Sequence, residues 1–217
     1  MNYTNILLDL DGTLTDPKLG ITNSVRYALS HFGIEEPDTA KLETFIGPPL
    51  LHSFMTFYSF TEADAWRAVA IYREYFKRSG MFENEVYAGI PELLQLLQSQ
   101  GRLLYVATSK PRVFAEQILV HFKLDTYFEK IYGSELDGVR TDKTELIAYI
   151  IAESCLAKDR TVMIGDREYD IMGASNNDID SIAVGFGYGS RHELIAAKPT
   201  YHFQTLGELT EAFYEVT

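Results

Sequence analysis

The chain has 217 residues, of which 46% are hydrophobic and 23% are charged, and its formal net charge is −12 at pH 7. A chain of this size and composition can bury the core of one domain or of two small ones. The negative net charge disfavours nucleic acid as a partner, because a phosphate backbone would be repelled and the Lys and Arg residues form no stripe. No apolar run approaches the roughly 18 residues of a membrane span, so we expect no membrane partner.

Cysteine usage indicates the compartment. The chain has one cysteine, Cys155, in a segment with a helical pattern. It has no partner for an internal disulfide, which is typical of a reducing compartment, and the N-terminus does not resemble a signal peptide. We therefore expect a cytoplasmic protein, and we expect Cys155 to be buried as a small apolar residue. We also expect the protein to be a monomer or a homodimer.

The first predicted element is an apolar strand that runs into two carboxylates and a Gly turn, with the sequence Ile6-Leu7-Leu8-Asp9-Leu10-Asp11-Gly12-Thr13. Asp9 and Asp11 are two residues apart, so an extended backbone projects both side chains in the same direction. Like charges this close need a counter-charge, and a hard divalent cation with oxygen ligands supplies one. The alternative interpretation is a strand followed by a solvated turn.

The next segment shows only helical patterns. Apolar residues recur at helical spacing over 21–32, before Gly33, and over 41–45, 50–58 and 61–76. Thr61 and Asp64 are spaced as a helix cap. We predict an all-helical cap domain over residues 16–84, inserted after the first strand of a core domain made of residues 1–15 and 85–217.

Strands and helices alternate in the remainder of the chain. The patterns predict helices over 91–100, 112–122, 143–153 and 169–175, and strands over 103–108, 130–132, 161–164 and 181–184. This alternation is typical of an α/β fold with a Rossmann-like (flavodoxin-like) parallel sheet.

The polar motifs follow the predicted strands. Asp9 and Asp11 end the first strand, Thr108-Ser109-Lys110 ends the second, and Gly165-Asp166-Arg167-Glu168-Tyr169-Asp170 follows a later one. Parallel sheets bind ligands at the carboxyl ends of their strands, so we expect these side chains to converge on one edge. Gly185-Phe186-Gly187-Tyr188-Gly189 also follows a strand, and we interpret it as a mobile loop beside the site.

Together these motifs resemble the haloacid dehalogenase superfamily, whose pattern is Asp-x-Asp-Gly-Thr, a strand ending in Ser or Thr, a Lys, and an acidic motif. Within that superfamily, residues 9–16 and Thr108-Ser109-Lys110-Pro111 look most like the phosphoglycolate phosphatase group. The resemblance implies a metal-dependent phosphatase with a small helical cap. Family members often have Lys-Pro at the third motif, whereas Lys143 is followed by Thr144. We choose Lys143 because it opens a helix after a loop, with Lys130 and Lys158 as alternatives.

The resemblance also implies the site residues. Asp9 would be the nucleophile, and Asp11 the acid and then the base of catalysis. Mg²⁺ would be held by the Asp9 side chain, the Asp11 backbone carbonyl and Asp166. Asp170 would bind the metal directly, bind it through a water molecule, or only orient Lys143.

Substrate contacts follow from the same resemblance. Lys143 would hold the nucleophile and the phosphoryl group, with Thr108 and Ser109 binding phosphoryl oxygens. A dehalogenase needs no proton donor such as Asp11, so the pair Asp9 and Asp11 indicates a phosphatase.

The partner would be a small phosphorylated metabolite: phosphoglycolate, a nucleoside monophosphate, a sugar phosphate or pyrophosphate. A phosphomutase, which shares the aspartyl phosphate but excludes water, is the first alternative. The second is a non-enzymatic phosphoacceptor or binding module, since receiver domains also place acidic residues, Thr and Lys on such a sheet.

Overall fold

The computed structural model describes residues 1–214 of the chain. They form two compact units. An α/β unit consists of Met1–Asp16 and the chain from Val86 onward, and a helical unit consists of Pro17–Glu85. No helix of the described residues has both the length and the apolar character needed to cross a membrane.

The strands are β1 (Asn5–Leu8), β2 (Thr15–Asp16), β3 (Glu85–Val86), β4 (Leu103–Pro111), β5 (Lys130–Ser134), β6 (Thr161–Gly165), β7 (Asp180–Val184) and β8 (Tyr201–Phe203). The α-helices are α1 (Lys18–Ser30), α2 (Thr39–Glu43), α3 (Leu50–Tyr58), α4 (Glu62–Tyr75), α5 (Ile90–Ser99), α6 (Arg112–His121), α7 (Lys143–Glu153), α8 (Glu168–Asn176), α9 (Arg191–Ala196) and α10 (Leu206–Tyr214). A π-helix, Phe76–Gly80, follows α4.

The α/β unit is built on a six-stranded sheet in the order β5-β4-β1-β6-β7-β8, and its strands pair in parallel. All of Asn5–Leu8 is buried, because β1 lies inside the sheet and is covered on both faces, which requires an almost wholly apolar strand. The predicted α/β class and Rossmann-like architecture are confirmed.

The topology locates the functional edge. The chain passes from β1 to β4 and β5 on one side, and then returns to the other side of β1 as β6. The strand order therefore reverses at β1, and ligands in such sheets bind at the carboxyl ends beside this reversal. Asp9 and Asp11 follow β1 at this point.

β4 carries an irregularity that the sequence patterns do not predict. Thr108 pairs with Gly133 and Pro111 pairs with Ser134, so Ser109 and Lys110 are extra residues on β4. Bulges of this kind redirect side chains and are common beside active sites. β5 accommodates the bulge at Gly133, where a Cβ would lie 2.5 Å from the Lys110 carbonyl oxygen.

The helical unit has a core of its own. Its largest buried side chains include Leu29, Leu42, Phe45 and Phe54, and the rings of Phe45 and Phe54 meet edge to face with centroids 5.0 Å apart. Apolar residues at helical spacing fold in this way because each helix can bury only one face.

Two expectations about the α/β unit were incomplete or wrong. The sequence analysis predicts neither β8 nor α10. β8 has only three residues, which is too short to show an alternating pattern. Cys155 is exposed rather than buried. It lies just beyond α7 at a φ of 51°, where the chain has already left the helix.

Candidate active site

Asp9 and Asp11 lie at the carboxyl edge of the sheet and are both buried. The Asp9 N–H donates to the Ile164 carbonyl over 2.9 Å, so the first aspartate is still tied to β6. The chain then turns at Gly12, whose φ is 81°, and the Gly12 N–H donates to the Thr15 carbonyl over 2.8 Å. The two aspartate side chains contact different lysines.

Lys143 is the first residue of α7, and Asp142 caps that helix. The Lys143 side chain is 5% exposed, and its Nζ lies 3.0 Å from Asp9 Oδ1 and 2.6 Å from Asp170 Oδ1. The same Nζ donates to the Ala107 carbonyl oxygen over 2.7 Å. One buried ammonium therefore links the predicted nucleophile to the end of the acidic motif.

The two alternative lysines lie elsewhere. Lys130 forms an ion pair with Glu153, and about half of its side chain is exposed. Lys158 forms an ion pair with Asp178 over 3.2 Å and is equally exposed. Neither ion pair includes a residue of the acidic motifs.

Asp166 is enclosed at the end of β6. Its Oδ2 accepts the Tyr188 N–H over 2.7 Å, and its Oδ1 accepts the Thr13 hydroxyl over 3.4 Å. A Cβ on Gly12 would lie 2.2 Å from Oδ2, and one on Gly187 would lie 2.4 Å from it. Only glycine fits at these two positions, because any side chain would displace the carboxylate.

The loop of residues 185–189 is therefore part of the site's support. Its Tyr188 binds the Asp166 carboxylate through the backbone and donates its phenol proton to Asp16. The sequence signal was the three glycines in five residues, which permit a close backbone approach. That signal was available, but the loop did not enter the predicted site.

Asp9, Asp166 and Asp170 form one acidic cluster, with a carboxylate oxygen from each within 4.8 Å of the others. All three are buried, and when all three are ionised Lys143 supplies one positive charge against three negative charges. The remaining negative charge and the all-oxygen donor set fit a hard divalent cation. The Asp11 side chain does not belong to this cluster.

Burial and mutual repulsion shift the pKa values of the acidic cluster. Burial raises the pKa of Asp166 well above its usual range, and Asp170 and Asp9 raise it further. Burial also raises the pKa of Asp170 to about 6, although Lys143 opposes the shift. For Lys143, burial disfavours the charge, but Asp170 and Asp9 outweigh it and raise the pKa of the ammonium. A bound cation would relieve the repulsion among the carboxylates.

Asp170 is held in the site from two directions. Its Oδ2 accepts the Arg167 N–H over 3.1 Å, and its Oδ1 lies against Lys143. Of the three open roles for Asp170, this geometry favours orientation of Lys143.

Thr108 and Ser109 differ in what their hydroxyls can do. Thr108 is buried, and its Oγ1 accepts the Lys110 N–H over 3.2 Å, which leaves the hydroxyl proton available to an anion. The Ser109 hydroxyl instead donates to the Thr141 carbonyl oxygen over 2.9 Å. Substrate binding by Ser109 stays a prediction, and its hydroxyl already has a partner in the loop before α7.

The sequence analysis places Lys110 in the Thr108-Ser109-Lys110 motif but gives it no role of its own. Its Nζ lies 2.5 Å from Asp11 Oδ2, and both side chains are nearly buried. Burial raises the pKa of Asp11, whereas Lys110 lowers it and Asp9 raises it. Lys110 and Ser109 were both visible beside Thr108 in the sequence, but nothing in the pattern distinguished their directions.

A parallel α/β sheet that gathers buried aspartates, lysines and a threonine hydroxyl at its carboxyl edge is typical of proteins that take part in phosphoryl transfer. The sequence model of the family described as haloacid dehalogenase-like hydrolase matches residues 6–184. The chain therefore belongs to the haloacid dehalogenase-like hydrolase family, and it is a phosphoric monoester hydrolase of that type.

Individual relatives match nearly the whole chain, and their names cover more than one activity. A protein of Pseudomonas aeruginosa named 5'-nucleotidase is 55% identical, with 97% of this chain and 96% of that protein covered. The crystal structure of a predicted phosphatase from Clostridium acetobutylicum has a TM-score of 0.96 at 48% identity and covers 100% of both chains. A Mycobacterium tuberculosis protein named tyrosine-protein kinase PtkA is 37% identical, covering 95% of this chain and 71% of that protein.

Proposed function

We propose that the protein is a Mg²⁺-dependent phosphatase that hydrolyses small phosphomonoesters through an aspartyl phosphate on Asp9. The observation that carries the proposal is the buried bridge from Asp9 through Lys143 to Asp170, with Asp166 in the same acidic cluster. The bridge orients a nucleophile, and the uncompensated carboxylates provide oxygen ligands for a cation.

The Asp9 and Asp166 carboxylates would hold Mg²⁺ together with the Asp11 backbone carbonyl, which the family resemblance implies. The bound ion supplies positive charge against the phosphoryl oxygens and the nucleophile. Asp170 contributes by holding Lys143.

Asp9 is positioned for attack by two donors. Its Oδ1 accepts the Leu10 N–H over 2.8 Å and lies 3.0 Å from Lys143 Nζ. Repulsion between a carboxylate and each phosphoryl charge amounts to about 4 kcal/mol at ~4 Å and an effective dielectric constant of ~20. Lys143 offsets part of this repulsion, and the Thr108 hydroxyl donates to a phosphoryl oxygen.

Two steps complete the reaction. In the first, a bond forms between Asp9 and phosphorus, the bond from phosphorus to the leaving oxygen breaks, and Asp11 gives its proton to that oxygen. In the second, water attacks phosphorus while the Asp11 carboxylate takes a water proton. The bond between Asp9 and phosphorus then breaks, and phosphate is released.

The name of the 55% identical relative supports a nucleoside monophosphate as the first substrate to test. The motif resemblance supports phosphoglycolate, and sugar phosphates and pyrophosphate complete the set. We assign the choice among these substrates to the helical unit as a cap, and we place the protein in the cytoplasm as a monomer or homodimer.

The test is phosphate release from AMP, phosphoglycolate, a sugar phosphate, pyrophosphate and an aryl phosphate, with Mg²⁺ or with a chelator. We expect Mg²⁺-dependent release, and an at least ~10⁴-fold loss in Asp9→Asn, because the nucleophile is removed. The matched control is Asp178→Asn, since the Asp178 side chain is 85% exposed.

Other outcomes separate the alternatives. Appreciable turnover by Asp9→Asn would contradict the covalent mechanism. Phosphate transfer to a second sugar phosphate without release would indicate a phosphomutase. A phosphoaspartate that persists for minutes with no release would indicate a phosphoacceptor. Because one relative is named as a kinase, phosphate transfer from ATP to protein tyrosine is measured alongside.

A further inference from the structure

The two carboxylate oxygens of Asp11 have different surroundings. Oδ2 accepts a hydrogen bond from Lys110 Nζ over 2.5 Å. Oδ1 is buried and accepts no hydrogen bond from any described residue. Buried carboxylate oxygens are normally satisfied, so an orphan atom in an active site is a candidate for contact with substrate.

The position of Lys110 is fixed by the backbone around it. The bulge in β4 places Lys110 outside the strand ladder, and the Lys110 N–H donates to Thr108 Oγ1 over 3.2 Å. Gly133 lies so close to the Lys110 carbonyl oxygen that a side chain at position 133 would displace the bulge. The Lys110 side chain is 7% exposed, so it has little freedom to leave Asp11.

We propose that Lys110 is a positioning residue. Its ion pair with Asp11 Oδ2 orients the carboxyl group so that Oδ1 faces the leaving-group oxygen. The proposal rests on the function proposed above. In the first step the proton passes from Asp11 Oδ1 to the leaving oxygen as its bond to phosphorus breaks, and the resulting carboxylate remains paired with the Lys110 ammonium. No further reactant is needed.

This role makes a prediction that a structural role does not make. An alkyl phosphate has a strongly basic leaving oxygen and needs the proton from Asp11, whereas a dinitrophenolate leaves without one. Loss of Lys110 should therefore harm catalysis in proportion to the basicity of the leaving group. Lys143 contacts the nucleophile, so its loss should affect all substrates alike.

The experiment measures kcat/KM for 2,4-dinitrophenyl, 4-nitrophenyl, phenyl and ethyl phosphate with wild type, Lys110→Met and Lys110→Gln. kcat/KM reports the step that forms the aspartyl phosphate, so it is not affected by the later role of Asp11 as a base. For Lys110→Met we expect a loss of at least ~10-fold on ethyl phosphate and of less than ~2-fold on 2,4-dinitrophenyl phosphate. Lys110→Gln, which retains a donor, should recover part of the loss.

Lys130→Met is the matched control, because Lys130 is an exposed lysine paired with Glu153. Equal losses for all leaving groups, or no loss for any, would overturn the proposal. Thermal unfolding identifies a misfolded Lys110→Met, in which case Lys110→Gln must show the same dependence on the leaving group in weaker form. If wild type hydrolyses none of the esters, or Asp9→Asn remains active, the proposed function itself has failed.

Discussion

The carboxyl edge of the sheet contains two buried lysine–aspartate pairs that are chemically alike and structurally different. Lys143 comes from the first turn of α7 and bridges Asp9 and Asp170. Lys110 comes from a bulge in β4 and contacts Asp11. Under the proposed mechanism, the first pair serves the nucleophile and the second serves the proton donor.

The difference shows that the role of an ion pair in an active site depends on which carboxylate oxygens the lysine occupies and which it leaves available. Lys143 spreads one charge over two carboxylates, which suits a site where negative charge must be neutralised for every substrate. Lys110 occupies one oxygen of Asp11 and leaves the other without a partner, which suits a step whose importance depends on the substrate. The following variants test this division.

The largest effect is expected for Lys143→Met. It should lower kcat/KM by about 10³-fold for alkyl and dinitrophenyl phosphates alike, because the charge opposite the nucleophile is lost. Steady-state kinetics on both substrates measure the loss, with Lys158→Met as the exposed control. A loss confined to poor leaving groups would remove the distinction between the two lysines.

The next largest effect is expected for Gly187→Ala. The added Cβ would lie 2.4 Å from Asp166 Oδ2, so the carboxylate must shift and Mg²⁺ binding should weaken by about 10-fold or more. The readout is the Mg²⁺ concentration that raises the melting temperature, since saturating ligand at about 100 Kd adds about 2.7 kcal/mol to stability.

Gly207→Ala is the control for that experiment, because the nearest atom to its Cβ would be the Thr205 hydroxyl at 3.8 Å. If Gly187→Ala bound Mg²⁺ as tightly as wild type, the position of the Asp166 carboxylate would not determine Mg²⁺ affinity, which would contradict its proposed role as a ligand.

A smaller effect is expected for Tyr188→Phe. The backbone N–H to Asp166 is retained, but the phenol contact with Asp16 is lost. We expect Mg²⁺ affinity to fall by about 3-fold, because the loop whose backbone donates to Asp166 is held less firmly, with the dependence on leaving group unchanged. Isothermal titration with Mg²⁺ measures the change, and Tyr149→Phe, at a 41% exposed position, is the control.

The smallest catalytic effect is expected for Ser109→Ala. Its hydroxyl donates to Thr141, so we expect a loss of about 1 kcal/mol in the free energy of unfolding and little change in kcat/KM. Chemical denaturation and steady-state kinetics measure the two quantities. A 10-fold increase in KM would instead indicate that the Ser109 hydroxyl binds the substrate.

Sequence patterns were sufficient for the parts of the molecule that depend on local periodicity. The apolar run of β1 and the helical start at Lys143 identified the sheet and one of the two lysines. The direction of Lys110 depends on the pairing of β4 with β5, which is a long-range property that no local pattern contains. β8 was missed because three residues carry too little signal.

The loop at residues 185–189 shows a different limit. Its glycines are visible in the sequence, but the sequence analysis interprets them only as a mobile loop beside the site. In the structure, the glycine at position 187 is required because the Asp166 carboxylate leaves no room for a side chain there. Asp166 lies about twenty positions earlier in the chain. Spatial crowding of this kind cannot be derived from the composition of the loop alone.

The bulge in β4 also has an evolutionary consequence. Thr108 and Pro111 keep their partners on β5 on either side of it, so the two residues between them are outside the register of the sheet. A descendant of this chain could exchange the residue opposite Asp11 without re-pairing the strands. Under the proposed mechanism, the residue that holds the proton donor can therefore change by substitution within the bulge, whereas the proposed nucleophile Asp9 is hydrogen-bonded to β6.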